Sequence, residues 1–178
     1  LGTLVIGSAG NSGSGAAGGP TTSPGTEFSG FSVGASNYQR GIASFSSGTV
    51  VGPNSAITFD AAFNSVSYPD TYPREFVKPD VSAPGVSVLS AGPLGGDIGD
   101  PAATYSFSSG TSMAAPHAAG AVALVQSATS VEHSPEAIEN ALAETAEKPS
   151  GAPATNERYP VRCRYHQRPR GDRDGRTR

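Results

Sequence analysis

Apolar positions in this 178-residue chain fall into short runs separated by glycine-rich stretches. Leu4-Val5-Ile6 runs into Gly7-Ser8-Ala9-Gly10-Asn11-Ser12-Gly13, which predicts a buried parallel strand ending in a glycine loop. Residues 12–30 are rich in Gly, Ser, Thr and Pro and read as loop. Phe31-Ser32-Val33-Gly34-Ala35 alternates and predicts a second strand. Between positions 48 and 76, Phe59, Phe63, Val66, Tyr68 and Tyr72 alternate with Pro and Asp turn signals, a pattern for short strands or an edge hairpin. Val86-Ser87-Val88-Leu89-Ser90 predicts a further strand, and residues 91–103 a Gly- and Asp-rich loop. Residues 114–127 are nearly all apolar. They predict a helix buried on all sides that crosses the core, with Pro116 in its first turn, where a missing N–H costs little. Ser134-Pro135-Glu136 opens a second helix as N-cap, N1 proline and early acid, with an apolar stripe of Ala137, Ile138, Ala141 and Leu142. Strands and helices joined by glycine-rich loops place the chain in the α/β class.

Composition narrows this picture. Gly 23, Pro 15 and only 15% charged residues suit a loop-rich globule, not a coiled coil or a disordered chain. No apolar run approaches the ~20 residues of a membrane span, and no basic-then-apolar leader opens the chain. The net charge of −3 conceals an asymmetry. Residues 1–160 carry 13 acidic and 5 basic side chains, whereas residues 161–178 carry 7 Arg and 2 Asp. The acidic, lysine-poor body is favoured by salt, which screens its self-repulsion. The lone Cys163 cannot close an internal disulfide, so cysteine usage leaves the redox compartment open.

The densest chemical signal is Gly110-Thr111-Ser112-Met113-Ala114-Ala115-Pro116-His117. Small residues crowd one serine at a loop-to-helix junction, where free N–H groups and the helix dipole favour negative charge. Gly110 permits a tight turn and close approach, and Ala114 and Ala115 keep bulk away. Such a setting presents a nucleophile. A serine there also serves as an ordinary helix N-cap. Asn11 falls at the carboxyl end of a predicted strand, where open α/β sheets bind ligands, although asparagine beside glycine is common in plain turns.

Taken together, Tyr105-Ser106-Phe107-Ser108-Ser109 and the following Gly110 to Gly120 resemble the serine-nucleophile signature of the subtilisin-like serine peptidases. Ala9-Gly10-Asn11-Ser12-Gly13 is similar to the loop whose asparagine donates to the oxyanion in that family. Residues 31–35 and 39–47 resemble the family's "V-G-A" strand and the stretch after it, where Arg40 suggests a structural ion pair. Val77-Lys78-Pro79-Asp80-Val81-Ser82-Ala83-Pro84-Gly85-Val86 is similar to its "K-P-D-x-x-A-P-G" segment, which leads into a core strand, here expected at residues 86–90. The resemblance implies a three-layer α/β fold with a mainly parallel sheet flanked by helices, here without its N-terminal portion. It implies Ser112 and Asn11 as catalytic residues, Thr111 as neighbour, and Ser8, Ala9 and Gly10 along the substrate. It also implies a polypeptide substrate and an extracellular or cell-surface location. Asp80 is a tempting triad acid, but the resemblance makes it structural. Asp97 and Asp100 invite calcium, as do Asp60 and Asp70, but without regular ligand spacing no metal or other cofactor is expected.

Ser-His catalysis requires a base within hydrogen-bond reach of the hydroxyl. All three histidines, His117, His133 and His166, follow Ser112. His117 lies five residues on, about 500° round a helix of ~3.6 residues per turn, and is not assumed to reach back. Subtilisin-like peptidases place Asp and His before the oxyanion asparagine, and here only ten residues precede Asn11. The expectation is a partial catalytic domain over residues 1–160, inactive alone, whose further partner is the missing part of its own domain. A sheet without its early strands exposes edges and apolar faces, so marginal stability is expected. Two other classes are open. One is an esterase of the α/β-hydrolase type using Ser112, Glu132 and His166, for which Ala114 stands where its elbow needs glycine. The other is a non-catalytic binding domain.

Residues 161–178 depart from the family. After Arg158-Tyr159 the family's "Y-G-x-G" and apolar strand give way to Val161-Arg162-Cys163-Arg164-Tyr165-His166. Reading one base forward from Arg162, codon degeneracy permits Gly-Val-Val-Ile-Thr-Asn-Ala. The expectation is an Arg-rich tail over residues 161–178 that is disordered or produced by a frameshift or mispredicted end, ahead of an arginine arm for nucleic acid, to which the body gives no role. Resequencing the gene across codon 160 is expected to reveal the shifted base; an intact frame would restore the arginine arm.

Overall fold

The computed structural model describes residues 2–13, 24–52, 58–59, 65–66, 72–92, 105–128 and 133–147. The strands are β1 (Ile6–Ser8), β2 (Phe31–Ser36), β3 (Thr49–Val51), β4 (Thr58–Phe59), β5 (Ser65–Val66), β6 (Phe76–Lys78), β7 (Val81–Pro84), β8 (Val88–Ala91) and β9 (Tyr105–Ser108). Two helices follow, α1 (Thr111–Ser127) and α2 (Pro135–Thr145).

A parallel sheet of order β1-β2-β7 forms the centre. Ile6 pairs with Phe31, Val33 with Val81 and Ala35 with Ala83. Phe31, Val33 and Ala35 alternate along β2 and join Ala114 and Ala118 of α1 and Ala143 of α2 in one buried cluster. The intervening Gly34 faces the other way, where a Cβ would come within 2.9 Å of Pro79 Cγ and Ser82 Oγ. Only glycine fits there, and loops close that side of β2. As the turn signals between 48 and 76 predict, β3 pairs antiparallel with β6, and β4 with β5. Phe63, Tyr68, Asp60 and Asp70 of that stretch lie outside the described residues, as do Asp97 and Asp100.

Three expectations change. The central strand of the Lys-Pro-Asp segment is Val81–Pro84 and not residues 86–90; β8 instead pairs antiparallel with β9. The apolar pattern at 86–90 is stronger, but Val81 and Ala83 are the residues that register against Val33 and Ala35. Second, α1 is not buried all round: Thr111, Ala114, Ala118 and Val122 form one buried stripe, while Leu124 is 71% exposed. Among the described residues the sheet covers one side of this helix only. Leu89, Tyr105 and Phe107 of the β8–β9 pair are exposed as well. Third, the helix begins at Thr111, which puts Pro116 at its sixth position, where it deprives the Ser112 carbonyl of an i+4 donor. The second helix starts as predicted. Ser134 Oγ accepts from Ala137 N–H at 3.2 Å and Pro135 follows. Its buried residues are Ile138 and Ala143, however, with Ala137 and Ala141 exposed.

The amino ends of β2 and β7 are stapled by a buried lysine. Lys78 Nζ donates to Gly30 O at 2.6 Å and to Asp80 Oδ2 at 2.7 Å, and Ser32 N–H donates to the same carboxylate oxygen at 2.7 Å. The Lys78 ammonium lies 5.8 Å from the ring centre of Phe76, which packs with Phe28 and Tyr72 in an aromatic trio. On the surface, Arg40 pairs with Glu147, an exposed contact that contributes little.

Helix α2 brings Glu139 towards this staple. Burial, with the Asp80 carboxylate and Glu136 against Lys78, pushes Glu139 up from 4.5 to about 7. The folded chain therefore holds a proton that the unfolded chain releases between those values, and stability falls as pH rises from about 4.5 to 7. Thermal unfolding between pH 4 and 8 is expected to give Glu139→Gln a flatter profile than the wild type. Its advantage at pH 8 should be on the order of 1–2 kcal/mol after allowing for partial solvent screening.

Candidate active site

The carboxyl ends of β1 and β7 meet the start of α1 at one corner. Gly110, the N-cap of α1, has no side chain to cap the helix. Its N–H donates to Gly85 O at 2.8 Å, tying the helix start to the end of β7. A Cβ on Gly85 would lie 2.6 Å from Ala35 Cβ and 2.8 Å from Gly110 O, so this crossing excludes any side chain.

Asn11 supplies the missing cap from 100 positions away. Its Oδ1 accepts from Thr111 N–H at 2.9 Å and from Thr111 Oγ1 at 3.0 Å. Thr111 Oγ1 in turn accepts from Gly10 N–H at 3.1 Å. The amide orientation follows from this pattern, since a backbone N–H can only donate and must face the carboxamide oxygen. Asn11 Nδ2 is thus turned away from Thr111. A Cβ on Gly110 would sit 3.2 Å from it. Among the described residues neither Asn11 Nδ2 nor the Ser112 N–H has a protein acceptor. Gly10 reaches this geometry at φ 105°, in the left-handed region that favours glycine.

The residues singled out in the sequence are distributed as follows. Gly10, Asn11 and Thr111 are joined by these hydrogen bonds, with Ser112 next in the chain. Ser112 is exposed in the first turn of α1, and Thr111 is buried at 1% exposure. Ser8 ends β1, and Ala9 is fully buried with its N–H on Val33 O at 3.0 Å. No described histidine is bonded to Ser112. His117 Nδ1 lies 2.8 Å from Met113 O, along its own helix, and His133 is exposed just before α2. Asp80, held by Ser32 and Lys78, sits at the opposite end of β7 from Gly110. Glu132 and His166 lie outside the described residues. Residues 43–47 carry a part of the corner that pattern reading overlooked. Ser47 N–H donates to Gly10 O at 3.0 Å, Ser12 N–H donates to Ser47 Oγ at 3.0 Å, and Gly13 N–H to Phe45 O at 2.7 Å. Consecutive serines after an aromatic residue are the only local sign, and they are equally typical of a surface turn.

Two N–H groups without a protein acceptor among the described residues and an exposed serine at a helix start are the kinds of group that acyl transfer can use. The description "Subtilase family" matches residues 1–161, and the chain belongs to that family. It is 39% identical over 104 residues to the subtilisin-like protease SBT1.4 of Arabidopsis thaliana, covering 56% of this chain and 13% of that protein. The CO(2)-response secreted protease of the same plant is 41% identical over 93 residues, covering 48% of this chain and 11% of that one. An extracellular protease of Xanthomonas campestris is 49% identical over 74 residues, covering 41% of this chain and 12% of the other. The matched regions thus amount to between 11% and 13% of these relatives' lengths. Among the described residues no helix is long and apolar enough to cross a membrane.

Thr111 accepts from one partner and donates to another through a single buried hydroxyl. The near-isosteric Thr111→Val should strand the Gly10 N–H and cost about 1–3 kcal/mol in chemical denaturation. Thr111→Ser, which keeps both bonds, is expected to cost less.

Proposed function

We propose that this chain is the nucleophile-bearing part of a subtilisin-like serine endopeptidase. Ser112 Oγ attacks the carbonyl carbon of the scissile peptide bond. Asn11 Nδ2 and the Ser112 N–H hold the oxyanion that forms, and the positive end of α1 adds to their field. The single observation that supports this reading is the Asn11–Thr111 pairing, which engages the carboxamide oxygen at the residue before Ser112 and leaves the carboxamide N–H groups turned away from Thr111. The peptide runs extended past Ser8, Ala9 and Gly10; the Ala9 and Gly10 N–H groups and the Gly10 carbonyl are already bonded to Val33, Thr111 and Ser47, so this segment lines the peptide without adding it as a strand there. On this reading Ser112 takes its base and acid, a His and an Asp, from another part of the same domain, so the chain alone has little or no peptidase activity. The names of two relatives, secreted and extracellular proteases, favour an extracellular setting.

Fluorophosphonate labelling tests the assignment. The 178-residue chain alone is expected to label weakly. Combined with a polypeptide carrying the acid and base, Ser112 is expected to label strongly and Ser112→Ala not at all. Asn11→Ala should slow peptide turnover on the order of 10²–10³-fold, a magnitude taken from the oxyanion asparagine of subtilisin itself. Strong labelling of the chain alone would overturn its inactivity, and labelling that survives Ser112→Ala would overturn the nucleophile.

A further inference from the structure

Asn11 is fixed through its side chain by Thr111, but the backbone on either side of it needs its own restraint. The loop is exposed at Asn11 and Ser12, and Gly10 and Gly13, at φ 105° and 89°, bring little stiffness of their own. Both peptide groups that flank Asn11 are held by one residue. The carbonyl of the Gly10–Asn11 peptide accepts from Ser47 N–H at 3.0 Å, and the N–H of the Asn11–Ser12 peptide donates to Ser47 Oγ at 3.0 Å. Ser47 is 2% exposed, so water competes poorly for either bond.

Ser47 is itself suspended from the central strand. Ala43 N–H donates to Ala35 O at 2.9 Å, Ala35 N–H donates to Ser46 Oγ at 2.9 Å, and Ser46 N–H closes the turn on Ala43 O at 2.9 Å. A rigid path therefore runs from β2 through residues 43–47 to the backbone of Asn11. We propose that Ser47 is a positioning residue for Asn11, clamping both peptides around it so that the carboxamide is presented in one orientation. The clamp rests on the reading of Asn11 as oxyanion donor for its purpose, but its geometry is tested independently of catalysis.

Ser46 provides a matched control: an adjacent serine, equally buried, whose hydroxyl also accepts one backbone N–H, that of Ala35 and not one of residues 10–12. In the isotope-labelled 178-residue chain, Ser47→Ala is expected to lower hydrogen-exchange protection of the Ser12 amide at least tenfold. It should also increase the mobility of Asn11 Nδ2 in nitrogen relaxation. Ser46→Ala loses one side-chain bond of that path but keeps its backbone bonds and both bonds from Ser47 to the Asn11 peptides, so it should destabilise the chain comparably and change both signals far less. Equal effects of the two variants, or no effect of Ser47→Ala on Asn11, would overturn the clamp. If Ser47→Ala does not fold, native-state exchange of the wild type decides. The Ser47, Ser12 and Thr111 amides should then open with one free energy, and a Ser47 amide that opens independently of Thr111 would overturn the proposal. Should Asn11→Ala leave turnover unchanged while these signals behave as expected, the oxyanion reading fails and the clamp stands.

Discussion

The corner of this molecule depends on a helix that cannot cap itself. Every α-helix leaves its first N–H groups without intrahelical acceptors, and a polar side chain at the N-cap ordinarily takes one of them. Here the N-cap is Gly110, which has nothing to offer. Asn11 arrives from the end of β1 and accepts the Thr111 N–H instead. The same bond satisfies a helix end, joins two segments 100 positions apart and decides which face of the carboxamide is left over. The seating of the helix and the orientation of the Asn11 carboxamide share one interaction, so neither can be altered without the other.

Glycine at positions 85 and 110 has the same logic. The chain at the end of β7 passes so close to β2 and to the start of α1 that a methyl group on Gly85 would overlap Ala35. Close passage lets Gly85 O accept the Gly110 N–H and sets the helix start within reach of Asn11. The opposite end of the sheet is organised differently, by a buried charge. Lys78 and Asp80 satisfy each other while also holding Gly30 O and Ser32 N–H, as a buried ion pair must if it is not to cost more than it returns. A carboxylate committed in that way, a strand's length from Ser112, has no part in orienting a base.

Much of this was legible in the residues. Ser134-Pro135-Glu136 announced its helix because capping is local chemistry, and the alternation at 31–35 announced β2 because Phe31, Val33 and Ala35 share the face that packs on α1. The nucleophile and asparagine stretches were visible as motifs, but their meeting was not, since it depends on a long-range bond that no local pattern encodes. The same bond explains the misplaced start of α1. Pro116 looks like a first-turn proline until Asn11 is known to support a turn at Thr111 that propensity alone would not. The choice between residues 81–84 and 86–90 for the central strand failed for a related reason. Small residues such as Ser82 and Ala83 carry a weak apolar signal, yet small is what packing beside Gly34 and Ala35 demands. Ser47 was silent because its part is played as much by its backbone as by its hydroxyl.

The apolar residues that the described sheet leaves exposed belong to the same account. Leu124 on α1 and Leu89, Tyr105 and Phe107 on the β8–β9 pair bring no stability where they stand, since apolar area stabilises only when it leaves water. Helix α1 is apolar on the side that the sheet does not reach as well as on the side that it does. A helix with that composition is suited to packing on both sides, as in a three-layer α/β domain. The buried stripe Thr111, Ala114, Ala118 and Val122 alone is enough to seat α1 on β2 and to aim its first turn at Asn11. Orientation of the corner and full burial of the helix are therefore separable: the first is accomplished by the strands and hydrogen bonds described here, and only the second calls for another layer.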